Sequence, residues 1–149
     1  MGLTLSKPGE ASGWIALDAA LVFFAGDSDE AQAEAAKAAK RLEGVAVRAL
    51  TLERGAYLEL VGGGDGIAAS EGFKAVIDSE AHHATVMAAG LHSVRGVDGV
   101  GEQPEDVTPE LHAALAASGL SWLVARVVMR HNGLTPEQRQ AFFTLAAAD

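Results

Sequence analysis

The chain has 149 residues, 49% hydrophobic and 5% aromatic, with no cysteine. That length fits one domain with its own core, and the apolar content excludes a disordered chain, while the lack of cysteine excludes disulfides, thiolate catalysis and cysteine-held zinc. Eleven lysines and arginines face 20 aspartates and glutamates, a net charge of −9, which repels phosphate backbones and argues against nucleic acid as a partner.

Residues 1–13, "MGLTLSKPGEASG", read as a flexible lead-in broken by Pro8 and Gly13. They hold no apolar stretch of the signal-peptide kind. Residues 14–149 then read as a single domain, β-containing over 14–61 and helical over 70–146. "WIALDAALVFF" fits one or two short strands or a helix, because short apolar runs suit either. The longest uncharged apolar run, Ala19 to Gly26, is too short to cross a bilayer. A soluble, cytoplasmic protein with no membrane partner is expected.

"GDSDEAQAEAAKAAKRLEG" is the clearest helix. Asp27 or Ser28 caps its start, Asp29 and Glu30 sit in its first turn, Lys37, Lys40 and Arg41 lie towards its end, and Gly44 stops it. Its many alanines make a thin helix able to lie close on a sheet. "VAVRALTL" alternates as a strand does. "AYLELV" alternates too, and Arg54-Gly55 between them fits a turn, so the two are expected to pair as a β-hairpin. "GGGDG", Gly62 to Gly66, breaks the pattern. It lacks the lysine and hydroxyl of a phosphate loop and the spacing of a dinucleotide fingerprint.

From Ser70 to His92 a long helix is expected. Glycines and Pro104 interrupt the chain over 95–107. Thr108 then fits an N-cap, Pro109 a first helical position and Glu110 a first turn. Gly119 separates that helix from "LSWLVARVVMRHNG", where Ser121 is placed to cap the start, Trp122, Leu123, Val127 and Val128 are expected in a core, Arg126 and Arg130 lie towards the end, and Gly133 is a natural carboxyl-side cap. "LTPEQRQAFFTLAAA" repeats the Thr-Pro-Glu start. The fold class is therefore α+β and mostly helical, with a short hairpin in the amino half and three or four helices in the carboxyl half.

Few constellations carry chemistry. In "DSEAHH", Asp78 and His82 are four apart and Glu80 and His83 three apart, so each pair shares a helix face and could hold a divalent ion. No third ligand is fixed by spacing, and a solvated helix face explains the same letters. No G-x-S-x-G elbow is present. Glu105 and Asp106 lie in a connector where solvent keeps both ionised, unlike an acid–base pair. No cofactor is expected. Trp14 and Trp122 are heavy aromatic anchors, suited to a core or to a partner surface.

The order of elements points further. "GVDGV" after a helix, a Gly/Pro/acid link, the helix start Val107-Thr108-Pro109-Glu110 and Asn132-Gly133 near the end of a later helix resemble the tail assembly chaperones of long-tailed bacteriophages and prophages. The resemblance runs through residues 70–133; where the family often has tryptophan before the glycine, this chain has Val97. It implies a non-enzymatic protein in the bacterial cytoplasm whose partners are tape-measure and tail-tube proteins. Its partner-binding candidates are Trp14, Val97, Trp122 and Leu123, and a homo-oligomer is left open. Two other readings stand beside it: a phage structural or adaptor subunit retained in the particle, and a metal-dependent enzyme built on Asp78, Glu80, His82 and His83.

Overall fold

A computed structural model describes residues 7–60 and 80–133 of the chain. Three antiparallel strands form a sheet in the order β1 (Ile15–Ala16), β2 (Ala46–Ala49), β3 (Leu91–Arg95). The register sets Ile15 opposite Val47 and Val47 opposite Val94. Side chains alternate across a strand, so these three share one face, and all are buried. Arg48 pairs with Ser93, and Ala46 with Arg95, on the other face.

Residues 9–12 are more firmly held than a flexible lead-in. Ser12 donates its N–H to the Ala49 carbonyl (2.8 Å) and accepts the Ala49 N–H on its hydroxyl (2.9 Å). Gly9 and Glu10 continue this pairing with Thr51. Unpaired backbone groups beside a buried strand are costly, and this segment satisfies them.

Six helices are described: α1 (Leu17–Phe24), α2 (Asp29–Ala39), α3 (Arg54–Leu60), α4 (Glu80–Gly90), α5 (Pro109–Ala117) and α6 (Ser121–Gly133). With the antiparallel sheet they make the chain α+β, as its sequence implies. Several ends are set locally. The Ser28 hydroxyl accepts the Ala31 N–H (3.1 Å) to start α2, and that of Thr108 accepts the Leu111 N–H (3.2 Å) to start α5. Gly44, at φ +80°, turns the chain out of the short 3-10 turn after α2. The thin α2 packs chiefly on α1 rather than on the sheet. Gln32 on α2 donates to the carbonyls of Val22 (3.3 Å) and Gly26 (3.0 Å), which ties the end of α1 to it.

Two expectations give way. "AYLELV" is not the second strand of a hairpin: Arg54–Leu60 is the helix α3, and Arg54-Gly55 is its first turn. β2 is the middle strand, with β1 on one side and β3 on the other, so neither of its edges is open to a further partner. The helix expected to run through His92 stops at Gly90, and Leu91–Arg95 is β3. The alternation of "LHSVR" suits pairing with β2, and that pairing buries Leu91 and Val94. The expected loop at 62–66, the amino part of the helix expected from Ser70 and the helix expected after Thr135 lie outside the described residues.

The core lies between the inner sheet face and the pair α4 and α6. Leu123, Val124 and Val127 of α6 meet Ile15, Leu17, Val47, Met87 and Val94. Val86, Ala125 and Val128 close on Ala49 beside them. Each fully buried leucine or valine here contributes about 1.5–3 kcal/mol by leaving water. α5 and α6 meet at 113° across the bend at Gly119, which has φ +73°. Among the described residues no single helix is long and apolar enough to cross a membrane.

The far end of α6 is fastened by polar groups. Asn132 accepts the Leu52 N–H (2.7 Å) and donates to the carbonyls of Leu50 (3.0 Å) and Val128 (2.9 Å). Buried His131 shares a 3.0 Å hydrogen bond with Thr51. So the Asn-Gly that ends the resemblance holds α6 to the chain leaving β2.

Candidate binding groove

Because α6 buries Leu123, Val124, Val127 and Val128, its opposite side is presented outward. Trp122, Arg126 and Arg130, at i, i+4 and i+8, form one exposed stripe. Trp122, expected in the core with Leu123, Val127 and Val128, is instead 36% exposed, the most open large apolar side chain described, because it lies on the side of α6 turned away from the sheet. The Arg126 guanidinium lies 5.9 Å from the Trp122 ring centroid and 6.0 Å from that of Phe24. That of Arg130 lies 5.5 Å from Phe23. Phe23 and Phe24 meet edge to face at 5.4 Å. Cation–π contacts of this exposed kind are worth about 0.5–1 kcal/mol each. They also hold both guanidiniums against rings.

Beside the stripe runs a groove of about 360 Å³ between α1, α3, α4 and α6. Val86, Ala125 and Met129 give it an aliphatic floor, and Phe24 and Tyr57 give it aromatic walls. Gly133 has a role here: a Cβ at that position would come within 2.7 Å of the Tyr57 hydroxyl oxygen, so only glycine lets that ring close the end of the groove without shifting. His82 and His83 line the α4 side. The His83 Nδ1 is buried and has no hydrogen-bond partner, a state most buried polar atoms avoid. Burial, and then the neighbouring charge of His83, holds His82 below the ordinary imidazole range. Arg126 and Arg130 bring permanent positive charge to the groove.

The other residues singled out by sequence are scattered. Glu80 accepts a hydrogen bond from the Ser121 hydroxyl. Ser121, expected to cap α6, thus joins the start of α6 to the start of α4. Asp78 lies outside the described residues, and among the described ones no group of three or more metal-ligating side chains converges. Trp14 is half-buried, with Arg48 at 5.5 Å and Arg95 at 4.8 Å from its ring centroid. It therefore belongs to a different cluster from Trp122, on the outer sheet face. There His92 bonds Ser93 through Nδ1 at 2.9 Å. Val97 is half-buried against the edge of the core. Leu123 is fully buried and so offers no surface to a partner: it and Trp122 are neighbours in sequence, but the turn of about 100° between them on α6 sends one into the core and leaves the other exposed.

The connector is structural. Gly96 and Gly99 have φ of +83° and +79°, and Pro104–Asp106 forms a 3-10 turn. The Asp106 carboxylate accepts the Gln103 N–H at 2.9 Å. Phe24, Tyr57 and Met129 were not legible as groove residues. They come from three separate helices, and only the fold brings them together. The regular spacing of Trp122, Arg126 and Arg130 was the one available signal. No family model, no curated protein and no solved structure matches the chain.

Proposed function

We propose that this chain is a non-enzymatic binding protein of the tail assembly chaperone kind, working in the cytoplasm of a bacterial host on tape-measure and tail-tube proteins. The observation that carries the binding role is the exposed Trp122–Arg126–Arg130 stripe opening onto the groove. Tryptophan, tyrosine and arginine dominate the energetics of protein interfaces, because each offers a large rigid or amphipathic contact. Here Trp122, Arg126 and Arg130 stand on a helix whose other face is fixed in the core, so they are held in place before binding. The choice of partners rests on the resemblance of the 95–115 connector and its flanking helices.

Co-expression with tape-measure and tail-tube proteins from the same genome tests the proposal. The expected outcome is a recoverable complex and a gain in soluble tape-measure protein. Failure to obtain either overturns it. Many copies of the chain in purified virions, found by mass spectrometry, would overturn it in favour of a structural subunit.

A further inference from the structure

We infer that the groove takes an acidic amphipathic helix of a partner protein, with one or two bulky apolar side chains on the floor and carboxylates on Arg126 and Arg130. This deepens the binding role just proposed and rests on it. The charge pattern is the main argument. The chain carries 20 acidic residues and a net charge of −9, yet no carboxylate is among the described residues lining the groove, and two arginines are. Both guanidiniums lie against aromatic rings. A planar guanidinium held this way keeps its forked donors for a carboxylate. The net negative charge of the chain disfavours an acidic partner over most of its surface, so the groove helps to fix where such a partner lands.

Size and lining then select the kind of acid. About 360 Å³ with a floor of Val86, Ala125 and Met129 rewards apolar side chains, which a small free anion lacks. Methionine adapts to differing side-chain shapes, as surfaces that receive helices require. Arg126 and Arg130 are one helical turn apart on α6, so a helix lying beside α6 meets them with carboxylates at the same spacing, and its apolar residues at i, i+3, i+4 and i+7 face the floor.

The test uses the full chain and a labelled helical peptide with leucine at i, i+3, i+4 and i+7 and glutamate at the flanking positions, read by fluorescence polarisation. Two control peptides replace those glutamates by glutamine or by lysine. The glutamate peptide should bind at least tenfold more tightly than either control, and added salt should weaken it. The double variant Arg126→Gln/Arg130→Gln should lose about tenfold or more, equivalent to about 1.4 kcal/mol, with circular dichroism unchanged and a melting temperature still well above the assay temperature, lowered only by the loss of the exposed ring contacts. No binding, equal binding of the lysine peptide or full binding by the double variant overturns the inference. So does a dimer that the double variant dissociates in sedimentation, which would assign the groove to a second copy. If tail proteins form a complex that the double variant keeps at full affinity, the chaperone role survives and this inference fails. If the peptide binds as expected but no tail protein does, the reverse holds.

Discussion

Gly90, the last residue of α4, lies against Val128 of α6 so closely that a Cβ at position 90 would occupy the space of a Val128 γ-methyl. α4 and α6 make the most extensive helix pair described, and this contact sets how near they come. Gly90→Ala must push Val128 or the helix axis aside, and overpacking of that kind costs about 1–3 kcal/mol. Thermal denaturation should show a melting temperature lower by several degrees. In the double variant Gly90→Ala/Val128→Ala the two losses should fall short of their sum, and full additivity would show that the contact does not limit the approach.

Asn132 satisfies three backbone groups at once, the N–H of Leu52 and the carbonyls of Leu50 and Val128. Asn132→Ala leaves the Leu52 N–H without this acceptor, at about 1–3 kcal/mol. Asn132→Asp still accepts from Leu52 but sets a charge against two carbonyl oxygens, so its loss should be at least as large. Urea unfolding orders the three proteins. An aspartate variant as stable as the wild type would mean that the two donated bonds carry no weight.

Gly96 has φ +83°, and a Cβ there would run into the backbone carbonyl of Gly44. Neither conformation nor space admits a side chain. Gly96→Ala should cost more than about 1 kcal/mol, whereas Gly99→Ala meets open space and bears only the strain of its own φ of +79°. Comparing the two melting temperatures separates the packing cost from the conformational one.

Burial, then the charge of His83, lowers the pKa of His82. Burial, then Arg48, lowers that of His92, with Glu105 opposing. In the unfolded chain both return to an ordinary value of about 6.5. Below that value the unfolded state binds protons that the native state resists, so stability is complete above it and falls as pH drops towards the lowered native values. The urea midpoint should therefore decline between about pH 7 and about pH 5.5, above the carboxylate range. The double variant His82→Gln/His92→Gln should flatten that decline, and an unchanged slope would assign it to other groups.

Helix ends were the most legible part of this chain, since Ser28, Thr108-Pro109 and Gly44 act through bonds and dihedrals within a few residues. The strand at 45–50 was legible from its alternation. The α3 segment was not: six alternating residues fit either period, and the decision came from β2 having both edges filled by β1 and β3. β3 was hidden for the converse reason, because a strand of five residues directly after a helix gains its hydrogen bonds only from a partner distant in sequence.

The groove divides in the same way. The sequence by itself determined that Trp122, Arg126 and Arg130 share one side of a helix, because 3.6 residues per turn require it. It also determined the acidic surround against which two arginines stand out. Only the tertiary structure decided that this side faces outward while Leu123 turns into the core. It alone brought Phe23 and Phe24 of α1 under the guanidiniums, and Tyr57, His82 and His83 across from them. The reason is physical: helical periodicity is a local property, whereas burial is settled by which surfaces the sheet and its neighbouring helices offer, and no stretch of chain carries that information alone.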